Sequence, residues 1–198
     1  MLDAPGLSEA SAADWIRFSP AFVSLQPGES RQILVDIITP AKPARPGAYR
    51  IALLASAIVA DTRPGAEGLS RKIEKSTLFY LTPPDAISNP AIEDIRLTEK
   101  TTGERELVLV AGNSGNAHAR LEGAVRIEGQ GEPVDIPLAN LVILEGTARE
   151  FALPLPDNLP GRARLVTDFR NIHAPQSQTG SAPVGTYSAP LDAGDPDR

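Results

Sequence analysis

The chain has 198 residues, of which 41% are hydrophobic, 22% charged and 5% aromatic, enough apolar content for one large core or two small ones. It contains no cysteine, which excludes disulfide scaffolds, thiol enzymes and zinc ribbons, and no apolar run approaches the roughly 18 residues of a membrane span. The net charge of −6 argues against general nucleic-acid binding, which needs a basic face for phosphates.

Sixteen glycines and 19 prolines punctuate the chain, a density that suits short strands and many turns. Residues 1–14 show neither a basic start nor an apolar stretch, so the chain as given reads without a signal peptide and with a flexible N-terminus. Ile33, Val35 and Ile37 then alternate after the turn Gln26-Pro27-Gly28-Glu29, the period of a strand. Residues 48–60 are long enough for a helix. Tyr49, Ile51, Leu53, Ile58 and Val59, bracketed by Pro46-Gly47 and Pro64-Gly65, favour a strand instead. Residues 69–81 are polar early and apolar late, and they stop at Thr82-Pro83-Pro84. Because a proline pair cannot join a sheet ladder, the domain boundary is expected within 83–90.

Beyond it the period of two is cleaner. Leu107 and Leu109 lead into a turn at Gly112-Asn113-Ser114-Gly115-Asn116. Leu121, Val125 and Ile127 alternate with Glu122, Arg126 and Glu128, as in a strand with one wet face. Val134, Ile136 and Leu138 continue that period after Gly129-Gln130-Gly131. Phe151, Leu153 and Leu155 form another strand, and Ala163, Leu165, Thr167 and Phe169 the last. Strands recurring about every ten residues suggest an antiparallel sandwich. From 174 to 198 the apolar content collapses, so this tail is expected to be disordered.

No constellation supports catalysis, a metal or a cofactor. His118 and His173 lack a ligand spacing and read as exposed loop histidines. Ser114, His118 and Asp168 are the residue types of a hydrolase triad, but Ser114 sits in turn chemistry without the G-x-S-x-G elbow. The glycines at 112, 115, 129 and 131 are turn glycines. Asp192, Asp195 and Asp197 lack the closing glutamate of a calcium loop and read as solvated. The cluster Arg71, Lys72 and Lys75 has two readings, an edge-protecting face or an edge that accepts a partner strand.

The stretch 18–31, with Phe18-Ser19-Pro20 and Leu25-Gln26-Pro27-Gly28, resembles an element of the PapD-like periplasmic pilus chaperones. The strands at 33–40 and 49–59 follow in that family's order, and Leu78-Phe79-Tyr80 before Pro83 is similar to the end of its first domain. Leu107–Val110 before Asn113-Ser114-Gly115-Asn116, and Ile143–Arg149, are similar to second-domain motifs. The resemblance covers about residues 15–170 and implies an all-β protein of two immunoglobulin-like β-sandwich domains. The first, 15–84, lacks its initial strands; the second is 85–173. A fragment that has lost its signal peptide and early strands is one expectation, strands donated by a partner are another, and a short first domain stable by itself is the third.

The resemblance implies a non-enzymatic periplasmic chaperone for fimbrial or other surface subunits. Its partners would be pilin-like protein subunits, with an outer-membrane usher as a further candidate. Capture would be by strand addition at the edge over 69–81, beside an inter-domain cleft. The family's groove-filling positions fall on Gly68, Ser70, Lys72 and Glu74, whereas a one-residue shift gives Leu69 and Ile73. Thr77 stands where the family has a carboxylate-binding lysine, with Lys75 two residues earlier. The expected partner-binding residues are therefore Leu69, Ile73, Lys75 and Tyr80. The rival reading is a non-catalytic structural or adhesion spacer.

Overall fold

A computed structural model describes residues 6–60, 68, 70–153, 155 and 162–192. The chain is all-β, as expected, and divides into two units, Met1–Leu81 and Thr82–Arg198. No helix among the described residues is long and apolar enough to cross a membrane.

The first unit is built from two antiparallel pairs. β1 (Ile16–Ser19) pairs with β2 (Leu34–Ile37), and β3 (Tyr49–Ala60) with β4 (Ser70–Leu81). Its buried apolar residues among those described are Ala10, Ala12, Ile16, Ala48 and Tyr49, three of them alanine. Residues 6–14 are not loose, contrary to expectation. Arg50 N–H donates to the Ala10 carbonyl at 2.8 Å, and Ala12 N–H to the Arg50 carbonyl at 3.0 Å. Small side chains at 10 and 12 permit that close backbone approach and are buried by it. The Trp15 ring lies 4.2 Å from that of Tyr49, and the Tyr49 hydroxyl exchanges two 2.9 Å hydrogen bonds with the Arg45 backbone.

The second unit is a two-sheet sandwich. One sheet has the order β5 (Pro90–Glu99), β6 (Arg105–Asn113), β9 (Thr147–Leu153). The other contains β8 (Val134–Ile143), β7 (Ala119–Glu128) and β10 (Arg162–Asn171), whose far edge pairs with β11 (Ala182–Pro183) and β12 (Ser188–Asp192). One buried cluster draws on both sheets, with Ile95, Leu107, Leu109 and Leu153 from the first and Leu121, Val125, Leu165 and Phe169 from the second. The expected alternation of β7 holds: Leu121, Val125 and Ile127 are buried, while Glu122, Arg126 and Glu128 are exposed.

Three differences from the sequence expectation have physical causes. β5 carries no period of two that the sequence could show, because a register shift between Ile92 and Asp94 breaks it and its buried residues Ile92 and Ile95 stand three apart. The proline-rich stretch 83–90 packs within the second unit: Ala86 and Ser88 are buried, and Asn116 and Ala117 N–H both donate to the Ile87 carbonyl. The tail expected to be disordered is ordered through Asp192. Among its apolar residues Ala174, Val184 and Leu191 are buried and Tyr187 and Ala189 half-buried against the core, and β12 covers the edge that β10 would otherwise leave open. Positions 193–198 lie outside the described residues.

Candidate partner-binding edge

The ribbon of β3 and β4 follows from two 12-residue segments in unbroken antiparallel register, from Tyr49 opposite Leu81 to Ala60 opposite Ser70. Alternation assigns Tyr49, Ile51, Leu53, Ala55, Ala57 and Val59 to one face, with Leu81, Phe79, Thr77, Lys75, Ile73 and Arg71 opposite them. The other face carries Arg50, Ala52, Leu54, Ser56 and Ile58, opposite Tyr80, Leu78, Ser76, Glu74 and Lys72.

Burial divides the ribbon along its length. Residues 49–53 and 79–81 are buried or half-buried beside the Trp15–Tyr49 contact, whereas 54–59 and 70–78 are exposed on both faces. Large apolar side chains share that exposure: Ile58 is 76% exposed, Leu78 56%, Leu54 48% and Ile73 48%. An isolated two-stranded ribbon is marginal in water, and among the described residues no third strand joins the far half of this one to cover its apolar groups.

The two edges differ. The start of β3 is occupied by the parallel bridge between Ser11 and Arg50, while no strand among the described residues pairs with the outer edge of β4. On that edge Lys72 Nζ lies 2.6 Å from Glu74 Oε1, and Ser56 Oγ donates to the same oxygen at 3.5 Å. The Lys72 ammonium holds the Glu74 carboxyl below its ordinary range, through its hydrogen bond and its charge.

Of the four expected partner-binding residues, Ile73 and Lys75 share one face of β4. Tyr80 does not join them. It lies opposite Arg50, on the other face and in the half-buried part of the ribbon, because an odd separation along a strand reverses the face. Leu69 lies outside the described residues. Arg71 does join Ile73 and Lys75, and the exposed Leu54, Ile58 and Leu78 were not anticipated as site residues. The signal for Leu54 and Ile58 was available in 48–60: a strand apolar on both faces is one that expects cover on both.

The histidines are not the exposed loop residues expected. His118 is 2% exposed, and its ring stacks on that of His173 with centroids 4.0 Å apart and planes inclined by 19°. Ser114 Oγ accepts from Asn89 Nδ2 at 2.8 Å, and Asp168 lies exposed on β10. Among the described residues no group of three or more His, Cys, Asp or Glu side chains is placed to hold a metal ion.

Comparison of the chain with family models, with curated proteins and with solved structures returns no match.

Proposed function

We propose that this chain is a protein-binding module that captures an extended partner segment by strand addition at the outer edge of β4, and that it serves as a periplasmic chaperone for fimbrial or other surface subunits. The observation that carries the binding mode is the 12-residue β4, open at its outer edge among the described residues and exposed over 70–78 on a ribbon with large uncovered apolar side chains. Strand addition satisfies the edge N–H and C=O groups and places partner side chains beside those apolar groups. The chaperone role rests on the resemblance of 15–170 to the PapD-like proteins and on the immunoglobulin-like order of strands that it implies.

The test is amide hydrogen exchange on the full chain with and without a fimbrial-subunit peptide of the kind that pairs with a chaperone edge. New protection confined to 70–78 is expected, and Ile73→Pro should abolish it without changing exchange in the second unit. If protection is absent, or appears only elsewhere, strand addition at this edge is wrong. The spacer reading, which requires no capture, would then stand in its place.

A further inference from the structure

Building on that strand-addition reading, we infer that the segment captured by β4 is acidic, with carboxylates at two alternate positions flanking an apolar residue. β3 and β4 together carry Arg50, Arg71, Lys72 and Lys75 against Glu74 alone, within a chain whose net charge is −6. The excess is also directional. Lys72 is engaged by Glu74 on one face. Arg71, Ile73 and Lys75 follow each other on the opposite face, and neither Arg71 nor Lys75 has a carboxylate partner among the described residues.

A strand added antiparallel to β4 sets its own alternate side chains opposite this row, at about 5 Å across the strands and about 7 Å along them. The complement of cation–apolar–cation is carboxylate–apolar–carboxylate. Such a partner sets two opposite charges across the strand boundary and an apolar side chain over Ile73, which is 48% exposed. A second copy of the chain fits poorly in the same place. Antiparallel self-pairing of β4 about a two-fold axis through Arg71, Lys72, Glu74 or Lys75 sets that charge opposite its own copy. About Ile73 the repulsion of Arg71 with Lys75 offsets the attraction of Lys72 to Glu74, so no such register gains the two unopposed charge pairs that an acidic strand offers.

The experiment uses the full chain and three synthetic strand peptides that differ only at their centre: Glu-Thr-Val-Thr-Glu, Gln-Thr-Val-Thr-Gln and Lys-Thr-Val-Thr-Lys. Affinity is read by fluorescence anisotropy and the site by exchange protection of 70–78. The Glu peptide should bind about tenfold or more tightly than the Lys peptide, with the Gln peptide between them, since each cross-strand charge pair is worth up to about fivefold. The double variant Arg71→Glu, Lys75→Glu should reverse the order; both side chains are exposed, and circular dichroism checks its fold.

Equal binding of the Glu and Gln peptides with 70–78 protected would overturn the acidic preference and leave strand addition standing. No binding by any peptide, together with no protection from the subunit peptide, would remove both. Concentration-dependent self-association that protects 70–78 without peptide would assign the edge to a second copy and overturn the inference.

Discussion

The rings of His118 and His173, 55 positions apart in the chain, stack 4.0 Å from each other at the end of β10. His118 lies just before β7 and His173 just after β10, and those antiparallel strands bring them together through Leu121 opposite Asn171. Around them Asn171 Oδ1 accepts from Arg120 N–H at 3.0 Å and from His173 N–H at 3.2 Å. Asn171 Nδ2 donates to Ser88 Oγ at 2.7 Å, and that hydroxyl donates to the His173 carbonyl at 3.0 Å.

Burial, and secondarily the charge of Arg120, lowers the His173 pKa below the ordinary histidine value. The unfolded chain then binds more protons than the native one between that lowered pKa and the unfolded value near 6.5. The stability contribution is fully present above about pH 6.5 and is lost as the pH falls toward the native pKa. Urea unfolding of the second unit is expected to weaken between pH 7.5 and 5, with a smaller loss in His173→Gln. Identical pH dependence in the two proteins would show that His173 does not contribute.

Asn113 is 3% exposed and satisfies four backbone groups. Its Oδ1 accepts from Asn89 and Gly115 N–H at 2.9 and 3.1 Å, and its Nδ2 donates to the Ala117 and Ile143 carbonyls at 2.8 and 3.3 Å. Asn113→Ala strands these groups in a buried corner and should destabilise the second unit by about 2–4 kcal/mol. Chemical denaturation measures it. A change under about 0.5 kcal/mol would mean that the corner relaxes to other partners.

Leu191 on β12 is 3% exposed and packs in the sandwich core. Leu191→Ala is expected to cost about 2–4 kcal/mol by cavity formation. Deletion of 174–198 should cost more, because Val184 leaves with it and the edge of β10 opens. An unchanged urea midpoint in both variants would return the tail to the disorder its composition suggests.

Much of the fold was legible in local patterning. Leu121, Val125 and Ile127 announce β7, and Leu165, Thr167 and Phe169 announce β10, because a period of two survives wherever a strand keeps one face in the core. β5 was hidden by its register shift. The tail was hidden because its apolar residues are sparse among Pro, Gly, Ser and Gln, and the one alternation, Tyr187, Ala189 and Leu191, is short and finds its place only on a pre-formed sheet. In the candidate site, Ile73 and Lys75, expected from the sequence, share a face of β4. Tyr80, expected from the resemblance, lies on the other face of β4, because an odd separation along a strand reverses the face.

The sequence by itself determined that this protein is all-β, where its turns fall, and that β4 carries more cations than carboxylates, since these are properties of composition and of short-range period. Only the tertiary structure decided which edge is covered, that the two histidines stack, and that residues 10–12 and 188–192 are held in place. Those outcomes depend on pairings between segments far apart in the chain. A strand edge is open or closed according to what the rest of the chain brings to it, and no local pattern encodes that.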